Sequence, residues 1–202
     1  SASEATDLRQ GFASAAASSE NINISTTALL ETVSALSKQF GFPTLFDDAT
    51  LITTTKLTKQ VGISAESAGM LAAATVTTGK NFEDQYKDAL GTSYELQRQS
   101  GVQLDLRNIL EESGKVTGTI RANLGANVEI IAAAVTQAKL FGGSLDDVAN
   151  ASKSLLDFES SISAELEAEL LLGKNINLEK ARQASLDGDL ATVAKELTKE
   201  AG

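Results

Sequence analysis

Gly143-Ser144-Leu145-Asp146-Asp147, and the run from 145 to 172 that it introduces, decide the fold. Glycine permits the left-handed backbone that ends a helix. Ser144 with Asp147 three residues on then forms the start signal of the next, close to a capping box, with carboxylates at the positive helix end. Beyond it Leu145, Val148, Leu155, Phe158, Ile162, Leu166 and Leu170 recur at three- and four-residue intervals. Ser152, Lys153, Ser160, Ser161, Glu165, Glu167 and Glu169 fall on the other faces. This pattern predicts one long amphipathic helix over 145–172 whose stripe seeks a partner, within the chain or in another copy. The interaction residues it nominates are Leu155, Phe158, Ile162, Leu166 and Leu170.

The same punctuation recurs outward from this point. Gly41, Gly62, Gly79, Gly101, Gly142 and Gly173 each follow a periodic apolar stretch. Gly62-Ile63-Ser64-Ala65-Glu66 and Gly79-Lys80-Asn81-Phe82-Glu83-Asp84 repeat the sequence of stop, cap and acid. Between the stops the periodicity predicts about eight to ten helices. Their expected spans are 3–18, 25–40, 46–61, 65–78, 82–100, 104–114, 116–141 (with a possible break near Gly125), 145–172, 177–186 and 190–200. The β-branched Thr75-Val76-Thr77-Thr78 argues for a strand, but no partner strand is evident and its neighbours are helical, so helix is retained. The spacing fits no fixed solenoid period. The expectation is therefore all-α: an antiparallel helical bundle or helix-turn-helix array with short turns. Residues 1–142 would hold about six to seven helices and residues 143–202 the long helix and two short ones, as one continuous unit.

Composition bounds the core and the chemistry. Trp is absent and aromatics are 4%, so Ala, Leu, Ile and Val must make the interior, which suits close helix–helix approach. One proline, Pro43, is consistent with helix throughout. The net charge of −10 disfavours direct binding to a phosphate backbone. With neither His nor Cys, the commonest general base, thiolate chemistry and most transition-metal ligand sets are excluded. The longest apolar runs, 70–76 and 130–135, are far below the ~20 residues of a spanning helix. Ala-rich 130–138 reads as a tightly packed core helix rather than a membrane contact. The opening Ser1-Ala2-Ser3-Glu4 lacks the layout of a signal peptide, and the ends read as cuts, so an excised segment of a longer protein is expected.

Four places resemble chemical sites and are read otherwise. Phe158-Glu159-Ser160-Ser161 has the helix-borne Glu-Ser pair of a lytic transglycosylase, but lacks the segment that should follow and the aromatic groove. Glu165, Glu167, Glu169 and Glu179 suggest a cation site, but the first three are two apart and cannot converge, and a di-iron bundle needs His. Asp187-Gly188-Asp189 is too short for a calcium loop. Gly114-Lys115-Val116-Thr117-Gly118-Thr119 lacks the upstream glycine and strand of a phosphate loop and reads as a helix terminus. No catalytic, cofactor-binding or metal-binding residue is nominated.

Three stretches carry a family resemblance. They are Ala134-Val135-Thr136-Gln137-Ala138-Lys139-Leu140-Phe141-Gly142-Gly143-Ser144-Leu145-Asp146-Asp147, the run from Leu155 to Leu171, and Gly173-Lys174-Asn175-Ile176-Asn177-Leu178-Glu179-Lys180-Ala181-Arg182-Gln183-Ala184 with Asp187-Gly188-Asp189. Together they resemble tail tape measure proteins of tailed phages. The segment from Thr77 to Asp105 is similar more loosely. The resemblance implies a non-enzymatic virion structural module, made in the host cytoplasm and carried in the tail, that sets tail length and assists DNA delivery. It implies tail tube, tail tip or baseplate proteins as partners, several copies per tail, and no active-site residues to carry over. A helical adaptor or regulatory protein-binding module is the alternative for an acidic helical bundle.

Overall fold

The computed structural model describes residues 24–40, 47–116, 118–125 and 127–201. Among them every regular element is a helix, so the all-α expectation holds. In chain order they are α1 (Thr26–Phe40), α2 (Asp48–Lys56), a π-turn (Leu57–Val61), α3 (Ala65–Thr78), α4 (Phe82–Ser100), α5 (Leu106–Lys115), α6 (Gly118–Asn123), α7 (Val128–Leu140), α8 (Leu145–Leu156), α9 (Phe158–Leu172), α10 (Glu179–Asp187) and α11 (Leu190–Ala201). The helix expected over 3–18 and the stop at Gly41 lie outside the described residues.

The punctuation works as read. Gly62, Gly79, Gly101, Gly142 and Gly173 all have left-handed backbones. Asn81 accepts from the Glu83 N–H at 2.8 Å, and Ser144 with Asp147 forms a full capping box. The expected 65–78 helix is present as α3. Two spans, 46–61 and 116–141, are each divided, the second near Gly125 as anticipated. The first is α2 followed by the π-turn, which closes where the Gly62 and Ile63 N–H groups both reach the Leu57 carbonyl, at 3.0 and 3.2 Å. The second is divided into α6 and α7, with the left-handed Gly125 ending the first and Asn127 capping the second.

α7 is the centre of the molecule. It packs along α4 most extensively, and also against α5, α8 and α11. Its residues Val128, Ile131, Ala132, Ala134, Val135 and Ala138 are all buried, which is the core role read for the Ala-rich stretch. Among the described residues no single helix is long and apolar enough to cross a membrane. One continuous core cluster runs from Leu57 to Ala194 and takes in α10 and α11, so it crosses the 142/143 division. A smaller cluster of Ile24, Leu29, Leu36 and Leu51 joins α1 to α2.

Small side chains set the spacing. Where α5 crosses α3, a Cβ added to Gly114 would stand 2.4 Å from the Ser67 Cα. Ser67 Oγ donates to the Glu111 carbonyl across the same crossing, at 3.0 Å. Between α4 and α7, the Thr136 hydroxyl lies 3.1 Å from Ser93 Oγ and 2.7 Å from its own helix's Ala132 carbonyl. Arg121 on α6 turns inward and donates to the Ser113 and Gly114 carbonyls at 3.0 and 3.2 Å, satisfying the C-terminal end of α5. Burial lowers the Arg121 pKa.

Glu111 supplies the electrostatic counterpart at the other end of the crossing. Its carboxylate accepts from the Ser64 N–H at 2.7 Å, at the positive end of α3, and pairs with Lys115 at 2.8 Å. Burial alone would raise its pKa. The Lys115 hydrogen bond, the Ser64 backbone and side-chain bonds and the Lys115 charge outweigh burial and bring it to about 2.

Two outcomes test this part of the fold. Gly114→Ala forces α3 and α5 apart and should lower unfolding free energy by about 1–3 kcal/mol in a urea titration, whereas an unchanged midpoint would mean the crossing is not tight. The folded pKa of Glu111 lies below its ordinary 4.5, so its contribution is complete above pH 4.5 and is lost as pH falls towards about 2. Glu111→Gln should therefore cost on the order of 2 kcal/mol at pH 7 and reduce the acid sensitivity of stability over that window, measured by denaturation at a series of pH values.

Candidate interaction surface

The single helix expected over 145–172 is interrupted at Asp157. Its carboxylate accepts from the Ser160 N–H at 3.4 Å and from Ser160 Oγ at 2.7 Å, capping a new helix. α8 stays in the core through Leu145, Val148, Ala149 and Leu155. α9 leaves it: along its length only Ser161 is buried. Ser152 and Ser161, read as polar-face positions of one helix, are both buried: Ser152 sits between Val148 and Leu155 on the inward face of α8, and Ser161 faces inward on α9 after the break.

α9 is fastened by polar groups more than by packing. Its substantial packing is against α8, the helix before it. Glu165 projects towards α10 and forms an ion pair with both terminal nitrogens of Arg182, the two side chains only 13% and 11% exposed. The other Glu165 oxygen accepts from the Leu178 N–H at 3.2 Å. One turn on, Glu169 accepts from the Ile176 N–H at 2.8 Å. These bonds tie α9 to the loop that follows it, after Gly173 closes the helix with a bond to the Glu169 carbonyl at 2.9 Å.

The nominated stripe is divided by the same break. Leu155 is 6% exposed and belongs to the core, so it is removed from the surface set. Phe158, Ile162, Leu166 and Leu170 remain together on α9 and are 45%, 45%, 56% and 85% exposed. Leu171 and Leu172, at 78% and 69%, extend the patch at the helix end, and Leu186 on α10 is 57% exposed. These three were not read from the sequence: Leu171 and Leu172 lie off the stripe, and Leu186 is on another element. Leu186, Phe158 and Ile162 line one groove of about 580 Å³ with Arg182. On the opposite side of α9, Ala164, Ala168, Leu155, Ile176 and Leu197 line a second of about 530 Å³.

The other candidate sites resolve into local structure. Glu159 stands exposed on the first turn of α9. Glu165 and Glu169 are used as described, and Glu167 is exposed, so the three do not converge. Among the described residues no group of three potential metal ligands gathers. Gly188 ends α10 in a left-handed turn, and Asp189 starts α11 by accepting from the Thr192 N–H at 3.0 Å and its hydroxyl at 2.6 Å. Lys115 closes α5 and is held by Glu111.

Compared with protein-family models, with curated proteins and with solved structures, the chain matches none.

Removing one partner of the Glu165–Arg182 pair should release α9 without unfolding the core. Arg182→Met is expected to speed amide hydrogen exchange in α9 by about one to two orders of magnitude and leave α4 and α7 unchanged. Equal acceleration everywhere would mean that the pair supports the whole fold.

Proposed function

We propose that this chain is a non-enzymatic structural and assembly module that works by contact, a segment of a phage tail tape measure protein. The observation that carries the contact reading is α9. A helix held to its own fold by a few polar bonds presents Phe158, Ile162, Leu166 and Leu170 to solvent. Exposed apolar groups gathered in this way mark interaction sites. The tail assignment rests on the resemblance of the stretches within 134–189, which include α9 as far as Leu171. In that setting the module belongs to the virion tail, with tail tube, tail tip or baseplate proteins as neighbours and further copies of the chain in the same assembly.

The test is the composition of virions. If the reading is right, mass spectrometry of purified tails from the phage or induced prophage encoding this sequence detects its peptides. Deleting the corresponding codons changes tail length in electron micrographs or stops tail assembly. Virions free of these peptides, or tails of normal length and infectivity after the deletion, would end the tail assignment.

A further inference from the structure

We infer that α9 is a docking site for a basic amphipathic helix of a partner protein, which lays an apolar ridge on Phe158, Ile162, Leu166 and Leu170 and sets Lys or Arg against Glu159 and Glu167. The inference rests on the contact reading above and adds the chemistry of the partner.

The geometry favours a helix as occupant. Phe158, Ile162, Leu166 and Leu170 are four residues apart, so they form one of the slanted ridges by which helices interdigitate. A partner using its own fourfold ridge would cross α9 at about 50°. The neighbouring row is Glu159, Ser163, Glu167 and Leu171, so each acid stands beside the ridge at reach of a partner's side chain.

The charge selects which helix. From Phe158 to Leu172 there is no Lys or Arg; the one cation bordering Leu166 and Leu170, Lys174, is turned to the Glu200 carbonyl at 3.0 Å. Glu165 and Glu169 are already turned to Arg182 and the Ile176 N–H. Glu159 and Glu167 remain exposed, with no side-chain hydrogen bond or ion pair to a described residue. A second copy would bring the same acidic helix, on a chain of net charge −10, to this face. An anionic lipid surface is opposed for the same reason. A basic helix gains both the apolar contact and the ion pairs, and each exposed ion pair weakens with salt.

The full 202-residue chain provides the test. The probes are a labelled synthetic Leu/Lys amphipathic peptide of about five helical turns and its Leu/Glu counterpart, followed by fluorescence anisotropy. The Lys peptide should bind, less tightly at high salt, and the Glu peptide should not. Leu166→Ser with Leu170→Ser should weaken binding about tenfold or more, and Glu159→Gln with Glu167→Gln about three- to tenfold. All four side chains are exposed, so both variants should keep the parent helicity and melting temperature. Asp84→Asn with Asp88→Asn removes the same charge from α4 and should leave binding nearly unchanged.

Equal loss in the α4 variant would show attraction to net charge alone and overturn the proposal. So would indifference to the Leu166 and Leu170 changes, binding of both peptides alike, or dimerisation of the chain through α9 in light scattering. Stronger binding to phosphatidylcholine vesicles than to the peptide, lost with the two leucines, would assign the face to a membrane instead and overturn it too. A chain found in virion tails that ignores the peptide sinks this inference and spares the tail assignment. A chain that binds the peptide but is missing from tails does the reverse.

Discussion

The interior of this protein depends on close approach. With few aromatic side chains to span a wide gap, helices bury enough surface only when their backbones come near one another. The α3–α5 crossing shows the constraint at its tightest, where Gly114 faces Ser67 with no room for a Cβ. Elsewhere alanines do the same work on α4, α7, α10 and α11, through Ala89, Ala132, Ala181 and Ala194. Closeness brings backbone carbonyls and helix ends into the interior, and these need partners. Ser67, Arg121 and Glu111 supply them, so the buried polar groups follow from the choice of small residues.

α9 obeys a different rule. Its inward positions are Ser161, Glu165 and Ala168, too small or too polar to form a tight seam, and grooves remain on both sides. What holds it is a partly buried ion pair and backbone N–H groups of the following loop. Such bonds depend on direction, whereas an apolar seam does not. They fix the position of α9 while leaving its large side chains uncommitted. A helix meant only to stabilise the fold would put Leu166 and Leu170 inward and its glutamates outward.

The helix stops and starts were legible because each is a local event, written in two or three adjacent residues: glycine for the left-handed turn, Asn81 or Ser144 for the cap. The core role of 130–138 was legible because Ala and Ile recur there at that density, and all but Ile130 and Ala133 of its Ala, Ile and Val side chains are buried. The break at Asp157 was not read, although Asp157 followed by Ser160 is itself a cap signal. Apolar periodicity reports which face of a helix is alike, and it continues from Leu155 to Phe158 without a gap. It says nothing of the direction of the axis, so a stripe that turns from core to solvent at one residue looks unbroken. The stripe consequently divides: four of its positions are exposed on α9, while Leu155 is buried in the core. Leu186 was invisible for another reason: it joins the patch through the fold of α10 beside α9, a juxtaposition no local pattern encodes.

The acidic balance and the exposed leucines belong together. A patch of large apolar side chains on a neutral protein invites association with any similar surface. On a chain of net charge −10, with Glu159 and Glu167 at the edge of the patch, every approach by another copy meets like charge before the leucines touch. Repulsion of this kind acts over about a Debye length, roughly 8 Å at physiological salt, which is longer than the reach of apolar contact. The glutamates therefore act first on any encounter and discriminate by charge. The leucines act only once a partner has passed that barrier, and supply most of the adhesion. Selectivity and strength are thus carried by different residues of one short helix, which is how a sticky face can be kept uncovered until its partner arrives.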